Sequence, residues 1–178
     1  YMKKSLLLWQ LTGFIFTGIL GVVLHFLYNW SNQSPLVAPF SAVNESIWEH
    51  MKLLFFPMFI FALIENLFIG EQYEHFWCGK LSGIVLGLIL IPVLYYTYTG
   101  IFGVSKDWFN IMIFFLANAL AYLLETYLLH RNVSFNISSQ TCFMVLYAIT
   151  FLFIILTFIQ PRIPLFQDPR SGVYGMGK

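Results

Sequence analysis

Asn44-Glu45-Ser46-Ile47-Trp48-Glu49-His50 places two carboxylates, an imidazole and an indole at the mouth of a long apolar segment, Met51 to Gly70. Ionisable groups are costly beside hydrocarbon, so by default they mark a site. Glu45 and Glu49 stand at i, i+4 and share one helix face, with His50 about 100° round from Glu49. Asn44 and Trp48 form a second such pair. Carboxylates and imidazoles together suit a divalent transition metal such as zinc, which takes mixed N/O ligands. Two neighbouring carboxylates also suit acid and base work, because one can hold a proton the other has lost. Trp48 would give a cationic ligand a π face. The blander reading makes Glu45 a helix cap and pairs Glu49 with Lys52 at i, i+3.

His25 has no such local explanation. It continues the row Gly13, Thr17, Gly21 at four-residue spacing, so it faces the bundle interior rather than lipid. We therefore expect His25, Glu49 and His50 as metal ligands. Glu49 is the expected general base, with Glu45 and His50 as its catalytic partners. Asn44, Trp48 and Tyr98 are the expected substrate-binding walls. A second set, Glu65 and Glu125, lies at the opposite face, each about five residues inside its helix end. These two suit a proton, an ion or a passing substrate. The simpler alternative has both snorkelling to the interface beside Lys80 or Arg131.

The elements that must position these groups are membrane helices. Of 178 residues, 59% are hydrophobic and only 10% charged, and mean hydropathy is +0.76. Soluble domains carry about 25% charged residues. Five segments reach the roughly 20 residues a bilayer requires, at roughly 5–30, 46–70, 77–101, 107–130 and 139–160. The expected fold is all-α: one integral membrane domain over 1–178, a five-helix polytopic bundle with a tail from 161 to 178. Lys3-Lys4 before an apolar run resembles a signal peptide, but no small-residue cleavage pattern follows, which favours a retained first helix. Gly13-Thr17-Gly21 and Gly79-Gly83-Gly87 predict close helix packing. Pro57 and Pro92 predict kinks or helix ends.

Net charge is +1, with no Lys/Arg patch to bind nucleic acid. With the N-terminus inside, Lys3, Lys4, Lys80 and Arg131 face Lys52, Lys106, Arg162, Arg170 and Lys178 across the membrane. The positive-inside rule barely separates the two arrangements. Lys3-Lys4 favour N-inside and C-outside, which puts Cys78 and Cys142 at cytoplasmic ends as free thiols. The tail holds Pro161, Pro164 and Pro169, turn signals at Asp168-Pro169 and Ser171-Gly172, and apolar Leu165, Phe166, Val173 and Tyr174. It is expected to fold back over the outer mouth, with Arg162 or Arg170 neutralising Glu45 or Glu49.

Asn44 through Pro57, Tyr96-Thr97-Tyr98-Thr99-Gly100-Ile101-Phe102-Gly103 and Pro164-Leu165-Phe166-Gln167-Asp168-Pro169 resemble a family of small bacterial multi-pass membrane proteins designated a domain of unknown function. The resemblance spans nearly the whole chain. It implies the bacterial cytoplasmic membrane and no particular activity. A comparison with ceramidase-like membrane hydrolases carries no residue over, because only His130 follows His75 and their late paired-histidine motif is missing.

The leading expectation is a polar His/Glu site near the outer membrane face, metal-assisted or acid/base, acting on a lipid-like or small amphiphilic molecule. The alternatives are a dimeric proton- or cation-coupled carrier and a non-catalytic accessory subunit held by the glycine rows.

Overall fold

The computed structural model describes residues 2–176, with side chains from Ser5 onward. The expectations resting on the side chains of Lys3 and Lys4, and on Lys178, lie outside what is described. Five helices run α1 Met2–Trp30, α2 Ile47–Ile69, α3 Phe76–Phe102, α4 Asp107–His130 and α5 Ser139–Phe158. All five are long and apolar enough to cross a membrane. Among the described residues there is no strand, only one antiparallel bridge, Gln167 to Tyr174. The polytopic helical bundle expected from sequence is the observed architecture. α2 continues through Pro57 and α3 through Pro92, so neither proline ends its helix.

α2 is the central helix. It packs on α1, α3, α4 and α5, and α5 lies at the edge mainly against α3. Its apolar run, Leu53 to Phe56 with Met58, Phe59 and Phe61, is buried against Ile84, Leu88, Phe114, Ala117 and Phe153. No hydrophobic force drives helix to helix within lipid, so close van der Waals packing and buried polar contacts must do so. The glycine rows supply that closeness inside one chain. A Cβ on Gly13 would meet Tyr122 and Phe61, one on Gly21 would meet Phe114, and one on Gly83 would sit 2.8 Å from the Ala121 carbonyl oxygen. These rows are therefore spent on α1–α2–α4 and α3–α4 packing. They are not free faces for another subunit, which corrects that part of the accessory reading.

The ends are set locally. Ser46 caps α2, its hydroxyl accepting from Glu49 N–H at 3.4 Å, so the cap is Ser46 and not Glu45. Ser138 caps α5 through Thr141 N–H at 3.1 Å. α3 closes on Gly103 at φ 71°, a left-handed position that glycine adopts without steric cost.

One sequence expectation is overturned outright. Cys78 and Cys142 are not free thiols. They form a disulfide that ties the starts of α3 and α5, with Cα atoms 5.1 Å apart. Sixty-four residues separate them in the chain, so only the α3–α5 packing discloses the pairing.

Candidate functional site

The face where α1 ends and α2 begins gathers polar groups from five chain segments. The loop between α1 and α2 is pinned first. Ser41 Oγ accepts from Tyr28 N–H at 2.8 Å and donates to the Leu24 carbonyl, spanning the turn of α1 that carries His25. Lys52 then fastens the same loop from below. Its ammonium donates to Ala38 O at 2.9 Å and Thr157 Oγ1 at 3.0 Å, and pairs with Glu49 Oε2 at 2.6 Å. Glu49 also accepts from Val43 N–H at 3.1 Å and from Gln160 Nε2 at 3.3 Å.

Glu49 and Lys52 are each 0% exposed, with their hydrogen-bonding capacity used. The sequence expectation made Glu49 a metal ligand and general base. The structure instead sets it in a closed ion pair, away from both histidines, in the role of the blander reading. The i, i+4 relation of Glu45 and Glu49 fails because Glu45 precedes the helix, whose cap is Ser46.

Glu45 takes the position expected of Glu49. Its carboxylate lies 3.6 Å from His25 Nε2 through one oxygen and 3.8 Å from His50 Nε2 through the other. One donor atom from each of His25, Glu45 and His50 falls within 4.8 Å of the others. Their side chains are 26%, 30% and 16% exposed, so the group is reachable. His50 Nδ1 is 2.8 Å from Ser46 O, where it donates. That contact fixes the tautomer and leaves Nε2 with its lone pair toward Glu45 and His25, the arrangement metal-binding histidines use. Ligands on a tetrahedral zinc lie roughly 3.3–3.6 Å apart, given bonds of about 2.0–2.2 Å. The three groups fit with small adjustment and leave a fourth position open.

This cluster lines one end of a cleft of about 420 Å³ between α1 and α4. Gly21, Leu53 and Phe114 line it deeper in the bundle, and Val22, Phe26, Ile111 and Phe115 line it where they are also exposed on the helix surfaces. The cleft thus opens between the exposed faces of α1 and α4, with the polar groups gathered at one end. Asp107 and Arg170, ion-paired to each other, stand at that polar end with Asn110.

The tail folds back over this face. Phe166 is buried against Trp48, ring centroids 4.6 Å apart. Asp168 accepts from Glu45 N–H at 3.5 Å through Oδ2, and from Arg170 N–H at 2.7 Å and Ser171 N–H at 3.3 Å through Oδ1. Burial pushes the Asp168 carboxyl up, but these donated bonds outweigh it and hold it below the usual carboxylate range. Asn44 Nδ2 donates to Gly175 O at 2.9 Å, and Gln160 Oε1 accepts from Gly175 N–H at 2.7 Å. Arg170 pairs with Asp107 rather than with Glu45 or Glu49. Asn44 is therefore a fastening for the tail. Trp48 packs between Phe153 and Phe166, away from the cleft. Tyr98 donates to Asn110 Oδ1 at 2.5 Å and supports the cleft from behind.

Glu65 and Glu125 come together at the opposite face, on either side of Lys80. They do not snorkel: each carboxylate and the ammonium between them are buried. Gln10 Nε2 donates to Glu65 Oε1 at 2.8 Å. Sequence reasoning missed Gln10, and set Lys80 beside the carboxylates only at the interface, not buried between them. Gln10 lies one turn before Gly13 on the same inward row, and Lys80 adjoins Gly79, so the helix faces did carry a signal.

The fold and the site define a polytopic membrane protein of five helices with a His/Glu cluster at one face. The chain belongs to the DUF6512 family, a family of unknown function whose model matches residues 2–176. No curated protein and no solved structure matches it.

Proposed function

We propose that this protein holds a divalent transition metal, zinc being the natural choice, on His25, Glu45 and His50. The metal would act on a lipid-like or small amphiphilic molecule lying in the α1–α4 cleft. The observation that carries the reading is the convergence of three reachable donor groups at the polar end of the α1–α4 cleft. Three protein ligands with one open position are the pattern of hydrolytic zinc sites, where the metal supplies an activated water. The residues' own parts are then distinct. His25, Glu45 and His50 bind, Ser46 O orients His50, and Arg170 with Asp107 receives the polar end of the ligand. Glu49 holds the loop in place through Lys52 rather than acting as base.

A photoactivatable amphiphile, added with and without zinc, tests this reading. Zinc-dependent crosslinks to Val22, Phe26 or Ile111 support it. Zinc-independent labelling spread over α5 contradicts it.

A proton- or cation-coupled carrier is the second reading, favoured by the buried Glu65–Lys80–Glu125 cluster at the other face. Continuous solvent labelling between the two clusters would be its sign. A homodimer remains a proposal within that reading, without support from the glycine rows.

The expected location is a bacterial cytoplasmic membrane. For orientation, the disulfide favours the reverse of the N-inside arrangement, because such bonds persist on the oxidising side. Lys52 and Lys80 are spent on buried ion pairs.

A further inference from the structure

At the disulfide end of the bundle, four helices each send one polar side chain into a buried cluster: Gln10 from α1, Glu65 from α2, Lys80 from α3 and Glu125 from α4. Lys80 Nζ donates to Glu125 Oε2 at 2.7 Å and makes an ion pair with Glu65. The Phe76 and Tyr122 rings lie 5.4 and 5.7 Å from the ammonium. All four polar residues are at least 97% buried, Gln10 being the most exposed at 3%.

The charges do not balance. Two carboxylates and one ammonium leave one negative charge uncompensated, in a region that excludes water. An unpaired buried charge is strongly unfavourable, and such groups neutralise instead. Two further observations point to a missing partner: Glu125 Oε1 and Gln10 Oε1 are buried without any hydrogen-bond partner. The other titratable groups at the cluster are Tyr122, which hydrogen-bonds Thr17 at 2.9 Å, and Tyr73 in the α2–α3 connection. Neither tyrosine adds a positive charge. Cys78 and Cys142 nearby are tied in the disulfide.

We propose that the Gln10–Glu65–Lys80–Glu125 cluster is a binding site for one exchangeable proton, held on the carboxylate pair. Water supplies the proton, which converts one carboxylate to the acid and leaves one ammonium facing one carboxylate. The protonated oxygen becomes a donor, and the Gln10 amide, which can turn either end to Glu65, supplies an acceptor. The proton belongs to the pair, not to one residue. This site rests on observations separate from the metal reading and stands if that reading fails.

Infrared difference spectroscopy of the purified protein, titrated through neutral pH, tests the proposal. The parent should show a protonated-carboxyl carbonyl band at neutral pH that vanishes on alkalinisation. Glu125→Gln and Glu65→Gln should each abolish it, whereas Glu45→Gln should leave it unchanged. Thermal melting gives a second readout. A folded state that holds an extra proton loses stability as pH rises, so the parent melting temperature should fall from about pH 4.3, the unfolded carboxyl value, up to the pH at which the band is lost, and this fall should be absent in Glu125→Gln. No band in a folded parent protein, or a band in all carboxylate variants alike, would overturn the proposal. Loss of the band on adding sodium at fixed pH, but not choline, would instead identify a metal cation as the occupant and overturn it as well.

Discussion

Glu49 and Glu45 differ in one respect that decides their roles: what each carboxylate meets. Glu49 meets Lys52, Val43 N–H and Gln160, and is closed. Glu45 meets two imidazoles at a reachable surface. Removing one partner of a buried ion pair leaves the other charge stranded, at a cost of about 3–5 kcal/mol. Lys52→Met should therefore destabilise the protein by that order, read by denaturant or thermal unfolding in detergent. Unchanged stability would show that the pair is not buried as described. Asp168 predicts a pH effect. Its carboxyl is held below the usual range, so its contribution is complete above the unfolded value of about 3.9 and is lost as pH falls through the folded value. The tail should loosen from Trp48 in strong acid, read by Trp48 fluorescence or limited proteolysis. Asp168→Asn should loosen it already at neutral pH.

At the scale of elements, the helices were legible and their partners were not. Long apolar runs bounded by Asn, Pro and charged residues pointed to five membrane-length helices, and five are present among the described residues. His25 was legible because the small-residue row fixed its face. The Glu45–Glu49 spacing did not hold because helical periodicity was carried past the Ser46 cap, which Glu45 directly precedes. The Cys78–Cys142 bond and the burial of Lys80 between both carboxylates were not legible, since both depend on which helices are neighbours. Glycine substitutions test the neighbour assignment. Gly83→Ala puts a Cβ 2.8 Å from Ala121 O, where backbone must yield, and should cost about 1–3 kcal/mol. Gly100→Ala meets nothing within 4 Å, lies within α3, and should be neutral or stabilise by up to about 1 kcal/mol. Equal effects at the two positions would refute the α3–α4 packing.

Across the whole molecule, the two faces carry different chemistry. One end has a reachable His/Glu cluster beside the α1–α4 cleft and under an ordered tail. The other has a sealed charge cluster beside a disulfide. Tightly packed aromatic residues of α2, including Phe55, Phe59 and Phe61, lie between them. The disulfide makes orientation testable: a reporter fused to the C-terminus, active only in the cytoplasm, should be active. Activity confined to a periplasmic reporter would restore the N-inside arrangement. Cys142→Ser should lower stability by about 2–4 kcal/mol in protein purified without reductant, and an unchanged melting temperature would argue that the bond is not formed in the membrane.

His25, Glu45 and His50, and not Glu49, are the proposed metal ligands. Elemental analysis by mass spectrometry of the purified parent protein, beside His25→Ala, Glu45→Gln and Glu49→Gln, tests that assignment most directly. Near-stoichiometric zinc or another divalent transition metal is expected in the parent and in whatever folded Glu49→Gln is recovered, with its loss in the other two. A metal-free parent that also fails to take up added zinc would contradict it, as would metal retained without His25 and Glu45.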